Sequence, residues 1–187
     1  MREGGWQETI GTALHGQTLS ILGLGRLGSR MASIGRAFGM EVLAWSQNLT
    51  AERAEAAGAR LVAKDELFAR ADVLTIHLVL GERSRGLVGA AELQRMKPSA
   101  VLINTSRGPI VDEAALIAAL ERPDIRGAGL DVYDREPLPA DHPLRRLGNV
   151  VLTPHLGYVT EGTYRMFYAD TVEAIAAWRA GTPARQL

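Results

Sequence analysis

Three polar side chains, far apart in the sequence, have the chemistry of an acid–base site. His155 carries an imidazole whose ordinary pKa lies near neutrality, so it can give and take a proton at physiological pH. Arg107 offers a planar guanidinium that can grip a carboxylate and polarise a carbonyl. Glu136 carries a carboxylate that can favour a charged imidazole. Taken singly, each could equally be a surface charge or a loop residue, so their weight rests on what surrounds them.

A glycine-rich motif indicates a second kind of chemistry. Residues 23–28 read Gly-Leu-Gly-Arg-Leu-Gly, which matches the pattern G-x-G-x-x-G. The motif follows a short apolar run at 19–22 and opens a helical pattern at 28–38. This strand–turn–helix context favours a dinucleotide site over a turn that merely needs flexible glycines.

Each residue of the motif has an expected task. Gly23 permits the tight turn, Gly25 lets a pyrophosphate approach the backbone, and Gly28 lets the helix pack close to the sheet. The amides of Arg26 and Leu27, at the start of the helix, favour a diphosphate. We therefore expect NAD or NADP as the cofactor.

Ser46 stands where the residue that selects between these two cofactors is expected. In dinucleotide-binding folds an acidic residue about 20 positions past the motif binds the adenosine ribose and repels a 2′-phosphate. This sequence has Ser46 there, and no arginine follows immediately. The sequence therefore leaves the choice between NAD and NADP open. The missing carboxylate modestly favours a site that tolerates NADP. The alternative is that Ser46 is an uninvolved exposed serine.

The elements that must position these residues alternate between strands and helices. Apolar runs predict strands at 19–22, 41–45, 60–63, 73–78, 101–103, 128–132 and 150–152. Helical spacing predicts helices at 28–38, 50–57, 65–69 and 160–180, one that ends at 93–96, and one capped by Asp112. In the helix at 28–38, Met31, Ile34 and Phe38 are spaced to share one face. The alternation predicts an α/β fold with a doubly wound parallel sheet, the Rossmann fold.

Three further segments follow the last three predicted strands and carry a family resemblance. Residues 104–113 read NTSRGPIVDE, residues 127–137 read GAGLDVYDREP, and residues 153–158 read TPHLGY. With the glycine motif, these segments closely resemble the D-isomer-specific 2-hydroxyacid dehydrogenases, over nearly the whole chain. The resemblance implies an oxidoreductase that transfers a hydride between NAD(P)H and a 2-keto or 2-hydroxy acid, similar to glyoxylate and hydroxypyruvate reductases.

The resemblance also implies a role for each polar residue. Arg107 would hold the substrate carboxylate, His155 would be the acid–base, and Glu136 would fix the tautomer of its imidazole. Asp131 matches the aspartate that the family has near the nicotinamide carboxamide. The other residues that the resemblance brings to the nicotinamide half of the cofactor are Thr105, Ser106, Arg107, His155 and Gly157.

The composition excludes several other kinds of protein. The 187 residues include 21 basic and 21 acidic side chains, so no net charge attracts nucleic acid or an anionic membrane. The absence of cysteine excludes a disulfide scaffold, a cysteine-ligated metal site and a thiol nucleophile. No signal peptide and no apolar stretch of ~20 residues are visible. We expect a cytoplasmic protein that binds a small-molecule substrate and no metal.

The most marked departure from the family concerns length. We interpret residues 1–187 as a single dinucleotide-binding domain, with 1–15 as a lead-in and 160–187 as a C-terminal helix and return. The family has a second domain, built mainly from preceding residues, which completes the active site and discriminates among 2-keto acids. We expect most of this domain, on the order of 100 residues, to be absent from the chain. We therefore expect weak cofactor binding, little turnover by the chain alone, and a homodimer through exposed apolar surface.

Two other functions are compatible with the same residues. Non-catalytic, dehydrogenase-like corepressors that sense NAD(H) keep a similar triad. A formate dehydrogenase would carry its distinguishing residues partly in the missing segment. Turnover of a full-length protein with a panel of 2-keto acids would separate an enzyme from a sensing module.

Overall fold

The protein is represented by a computed structural model that describes residues 4, 6 and 10–184. The predicted lead-in at 1–15 therefore lies partly outside the described residues, and so does the end of the predicted return at 160–187. The chain divides into two compact units, Met1–Pro154 and His155–Leu187.

Seven parallel strands form one sheet in the described part of the first unit. They are β1 (Thr18–Leu22), β2 (Glu41–Trp45), β3 (Arg60–Leu61), β4 (Val73–Ile76), β5 (Val101–Asn104), β6 (Gly127–Leu130) and β7 (Val150–Leu152). Their spatial order is β3-β2-β1-β4-β5-β6-β7, and each pairing is parallel. The chain winds outwards from β1 in one direction and then from β4 in the other, which confirms the predicted doubly wound sheet.

The helices begin and end close to the predicted positions. They are α1 (Arg26–Ala37), α2 (Ala51–Ala56), α3 (Lys64–Arg70), α4 (Ala90–Arg95) and α5 (Glu113–Glu121) in the first unit, and α6 (Glu161–Arg179) in the second. Asp112 caps α5 as predicted, because one of its carboxylate oxygens accepts a hydrogen bond from the Ala115 amide at 3.0 Å. Within the part of the chain that the structure describes, every helix falls short of the length and apolarity that a bilayer crossing needs.

The central strands form the core of the first unit. Ile21 on β1, Leu74 on β4 and Leu102 on β5 are fully buried, since helices cover both faces of a parallel sheet. Each such side chain stabilises the fold by roughly 1.5–3 kcal/mol. The buried hydroxyl of Ser20 donates to the Leu67 carbonyl oxygen at 2.8 Å, so it is satisfied. This packed centre fixes the strand ends, where the polar segments begin.

The predicted apolar face of α1 is wrong in part. Ile34 and Phe38 are 50% and 56% exposed, and Met31 is half-buried. A Cβ at Gly35 would lie 2.5 Å from the Leu19 Cδ2 atom, so α1 runs too close to β1 for large side chains. The residues that α1 buries are instead small, namely Gly28, Ala32 and Gly35.

Candidate active site

The turn between β1 and α1 requires glycine at two of its three glycine positions. Gly23 has a φ of +104°, a left-handed backbone that residues with a Cβ rarely adopt. A Cβ there would also lie 2.7 Å from the His77 carbonyl oxygen. At Gly28 a Cβ would overlap the Gly23 carbonyl oxygen. The close approach of α1 to the sheet therefore depends on both residues.

The middle of this turn leaves backbone groups open to a ligand. A Cβ at Gly25 would meet nothing within 4 Å, so this side of the turn faces open space. Gly25 is the N-cap of α1, and it supplies no side-chain hydrogen bond. In the described part of the chain, the amides of Arg26 and Leu27 donate to no other group. Free amides at the start of a helix favour an anion, so the turn fits the diphosphate of a dinucleotide.

A cleft of about 660 Å³ opens beside the glycine turn, at the carboxyl ends of β1, β2 and β4. This place, where the winding of the sheet reverses, is where doubly wound folds bind nucleotides. The volume is in the usual range for small-molecule sites. The residues that line the cleft are Leu24, Gly25, residues 45–49, Arg53, residues 78–84 and Leu87.

Ser46 is a structural part of the glycine turn as well as a lining residue of the cleft. The Leu24 amide donates to the Ser46 Oγ atom at 2.9 Å. Beside it, the Gly23 amide donates to the Trp45 carbonyl oxygen at 2.9 Å. Two hydrogen bonds thus join the end of β2 to the turn after β1. Ser46 is therefore half-buried and hydrogen-bonded rather than fully exposed, and its contact with a cofactor stays a prediction.

The segment after β5 is held by a residue that the sequence did not single out as part of the site. Asn104 is buried, and its Oδ1 atom accepts a hydrogen bond from the Ser106 amide at 3.0 Å. Its Nδ2 atom donates to the Arg107 carbonyl oxygen at 3.0 Å. The Ser106 hydroxyl donates to the Ile76 carbonyl oxygen at 2.8 Å, which ties the segment to the end of β4. The signal in the sequence that could have identified Asn104 is a polar residue at the end of an apolar strand.

Gly108 brings this segment against the one that follows β6. A Cβ at residue 108 would overlap the Tyr133 carbonyl and lie 2.5 Å from the Asp134 amide nitrogen, so the two backbones touch. Beside this contact, the Tyr133 amide donates to the Glu136 Oε1 atom at 3.0 Å. The Arg107 side chain is exposed, and its Nη1 atom donates a hydrogen bond to the carbonyl oxygen of the preceding residue, Ser106, at 2.6 Å. The structure therefore places the segments of Arg107 and Glu136 side by side.

Asp131 connects the ends of β6 and β7. Its carboxylate is buried and accepts a hydrogen bond from the Thr153 hydroxyl. The Tyr133 hydroxyl donates to the Thr153 and Leu130 carbonyl oxygens, at 2.8 and 3.1 Å. Burial, and then the charge of Asp131, raise the pKa of Tyr133 above its ordinary value. Tyr133 is thus a neutral donor at physiological pH, and it holds the two strand ends together.

His155 and Gly157 belong to the second unit. The backbone of His155 has a φ of +55°, in the left-handed region. Its ring meets the Tyr158 ring edge-on, with centroids 5.9 Å apart and planes at 79°. Tyr158 in turn lies 6.4 Å from Phe167 between ring centroids. These aromatic contacts hold the His155 segment against the first turns of α6.

Two other histidines have structural partners. The His77 Nε2 atom lies 3.0 Å from the Thr75 hydroxyl, and burial lowers the pKa of His77 below its ordinary value. The lowered pKa leaves the half-buried His77 imidazole neutral beside the end of β4. The Nε2 atom of His142 lies 3.1 Å from the Glu113 Oε1 atom. Among the described residues, no group of three or more His, Cys, Asp or Glu could hold a metal ion.

Comparison with known protein families decides what this arrangement belongs to. The sequence model for the NAD binding domain of the D-isomer specific 2-hydroxyacid dehydrogenases matches residues 1–157. The chain belongs to this family. The family match confirms the resemblance that the sequence motifs predicted. The strand order of the sheet confirms the predicted Rossmann fold.

Individual dehydrogenases of known sequence or structure are similar over almost the whole chain. A D-3-phosphoglycerate dehydrogenase from Synechocystis is 42% identical over 99% of this chain and 34% of its own length. A glyoxylate reductase from Aeropyrum pernix is 42% identical over 95% of this chain and 53% of its own. A crystal structure of a D-3-phosphoglycerate dehydrogenase oxidoreductase from Ralstonia solanacearum superimposes with a TM-score of 0.90 at 38% identity, covering 98% of this chain and 58% of that one. The chain thus spans between 34% and 58% of the length of these three relatives.

Membership of the dehydrogenase family also confirms a nicotinamide dinucleotide as the cofactor class. The open glycine turn and the cleft beside it are the features of this chain that fit such a cofactor. The assignment of individual residues to catalysis and to cofactor contacts stays a prediction.

Proposed function

We propose that this chain is the cofactor-binding domain of an NAD(P)-dependent D-2-hydroxyacid dehydrogenase, which reduces a small 2-keto acid such as glyoxylate or hydroxypyruvate. The observation that carries the proposal is the position of the open glycine turn, the Arg107 segment and the Glu136 segment, all at the carboxyl edge of one sheet. Relatives named as glyoxylate reductase and glyoxylate/hydroxypyruvate reductase support the substrate class.

Three residues are proposed to do the chemistry. Arg107 holds the substrate carboxylate, and its exposed guanidinium supports that role because it can reach a ligand. His155 donates the proton that the carbonyl oxygen needs, and its left-handed backbone is a constraint of the kind that accumulates at functional sites. Glu136 is the carboxylate that favours the charged imidazole. The bound cofactor supplies the hydride.

Twelve residues are proposed to contact the cofactor. For the adenosine and diphosphate half they are Gly23, Gly25, Arg26, Leu27, Gly28 and Ser46. For the nicotinamide half they are Thr105, Ser106, Arg107, Asp131, His155 and Gly157. The hydrogen bonds of Asn104 to the backbone of this second group support a rigid platform for the nicotinamide.

We also propose that residues 1–187 act as one dinucleotide-binding domain and that the protein is a homodimer. The family match over residues 1–157 supports the first statement. Exposed apolar side chains on α6, such as Tyr168 at 67% and Trp178 at 72%, support the second. Sedimentation across a concentration series tests the homodimer, and a monomer at high concentration would contradict it. The cytoplasmic location stays a prediction.

Cofactor titration of the full chain tests the proposed function. NADH and NADPH are added separately, and binding is followed by calorimetry and by quenching of tryptophan fluorescence. We expect saturable binding of at least one reduced cofactor, followed by slow, 2-keto-acid-dependent loss of absorbance at the nicotinamide band. A chain that binds neither cofactor overturns the proposal.

A further inference from the structure

We propose that the cleft prefers NADPH to NADH and that Arg53 determines this preference by binding the 2′-phosphate of the adenosine ribose. The inference rests on the proposed function, because it concerns the cofactor of the same site. It assigns a specificity role to a residue of α2 that lies seven positions beyond Ser46 and outside the motif.

The location of Arg53 is the first argument. The adenosine ribose of a bound dinucleotide lies at the carboxyl end of the second strand of such a sheet. Here that end carries Ser46, Gln47 and Asn48, and Arg53 lines the cleft with them. No carboxylate stands on this wall to bind the two ribose hydroxyls or to repel a phosphate.

The charge of the cleft is the second argument. Its charged lining residues are Arg53, Arg83 and Glu82. Glu82 and Arg83 are neighbours on the loop after β4, and their formal charges cancel. The net positive charge of the cleft therefore comes from Arg53, which stands on the wall where the ribose is expected.

The state of the Arg53 side chain is the third argument. Its backbone is fixed, since its amide donates to the Thr50 hydroxyl oxygen that caps α2 at 3.3 Å. In the described part of the chain, its guanidinium makes no hydrogen bond or ion pair. Arg60 and Arg70, by contrast, both pair with Glu41, at 3.3 and 2.6 Å. The backbone of Arg53 is thus fixed, while its guanidinium is available to bind a ligand.

The hydrogen bond of Ser46 is the fourth argument. Its Oγ atom already accepts a hydrogen bond from the Leu24 amide, so the hydroxyl hydrogen is directed away from the turn and can be donated. The next two amides, of Gln47 and Asn48, donate to no other group among the described residues, while the turn closes from the Leu49 amide to the Ser46 carbonyl at 3.1 Å. This wall of the cleft presents hydrogen-bond donors, and a phosphate dianion acts only as a hydrogen-bond acceptor.

Affinity measurements on the full chain and three variants test the assignment. The dissociation constants of NADPH and NADH are measured by calorimetry for the wild type and for Arg53→Gln, Ser46→Asp and Arg30→Gln. Arg30 is an exposed arginine of α1 that does not line the cleft, so it is the matched control for a lost positive charge. Thermal unfolding of each variant shows that it is folded.

We expect the wild type to bind NADPH more tightly than NADH. A lost charge-assisted contact should weaken NADPH about 10-fold more than NADH in Arg53→Gln, whereas Arg30→Gln should leave the ratio unchanged. Ser46→Asp should invert the ratio, since its carboxylate repels the phosphate and binds the ribose hydroxyls. An NADH preference in the wild type, or an unchanged ratio in Arg53→Gln, overturns this inference and leaves the proposed function intact. Failure to bind either cofactor overturns the proposed function instead.

Discussion

Gly108 and Tyr133 are in backbone contact across the boundary between the β5 and β6 segments, so close that a Cβ at residue 108 would overlap the Tyr133 carbonyl. The two residues are neighbours because β5 pairs with β6 in the sheet. The contact holds the segment that presents Arg107 beside the one that presents Glu136. The absence of a side chain at residue 108 is therefore a condition for building the candidate site.

Gly108→Ala should separate these two segments. Forcing a methyl group into a packed contact costs roughly 1–3 kcal/mol of unfolding free energy, which urea denaturation measures. The matched control is Gly148→Ala, because a Cβ at Gly148 meets nothing within 4 Å. Equal stability of the two variants would contradict the close contact.

Asn104→Ala should destabilise the segment after β5. It removes two hydrogen bonds from a buried position and leaves the Ser106 amide and the Arg107 carbonyl without their partner. The expected loss of unfolding free energy is roughly 1–3 kcal/mol. Thr105→Ala, at the exposed neighbouring residue, should change it by less than about 0.5 kcal/mol. If both variants unfold at the same urea concentration, Asn104 does not hold the segment.

The stability contributed by Asp72 should depend on pH. Burial acts to raise the pKa of Asp72, but hydrogen bonds from Lys97 and from the Thr18 amide, at 2.7 and 2.8 Å, outweigh it and lower the pKa below its ordinary value. Since the folded state then favours the ionised carboxylate, the stabilisation is complete above the unfolded pKa, about 4, and is lost as the pH falls through the lower, folded pKa.

Asp72→Asn should therefore unfold at a lower urea concentration than the wild type at pH 7, and the difference should shrink below about pH 4. Asp65→Asn is the control, since Asp65 is 69% exposed and pairs with Arg95 at 3.3 Å on the surface. An exposed ion pair of this kind contributes little. A difference that is constant from pH 7 to pH 3 would show that the charge of Asp72 is not what stabilises the fold.

His155→Gln should lower kcat for 2-keto-acid reduction by about 100-fold or more, because the proton donor is lost. Stopped-flow absorbance of the reduced cofactor measures the rate. His15→Gln changes an exposed histidine in the first unit and should leave the rate as it is. An unaltered kcat in His155→Gln would assign the proton to another group.

Local patterns were enough to predict the elements and the shape of the glycine turn. The strand at Glu41–Trp45 and the Asp112 cap agree with the structure because apolar runs and cap hydrogen bonds depend on residues close in sequence. The face of α1 could not be predicted in the same way. Which side chains α1 buries depends on its distance from β1, and that distance is short because Gly28 and Gly35 carry no Cβ.

The sequence by itself determined the doubly wound fold, the dinucleotide motif and the family to which the chain belongs, because these follow from periodicity and from motifs in a fixed order. Only the tertiary structure decided that Ser46 bonds to Leu24, 22 residues away, and that Arg53 lines the same cleft with an available guanidinium. It also decided the contact of Gly108 with Tyr133. Such contacts arise from the order of the strands in the sheet, which brings together backbone segments that are distant in the chain.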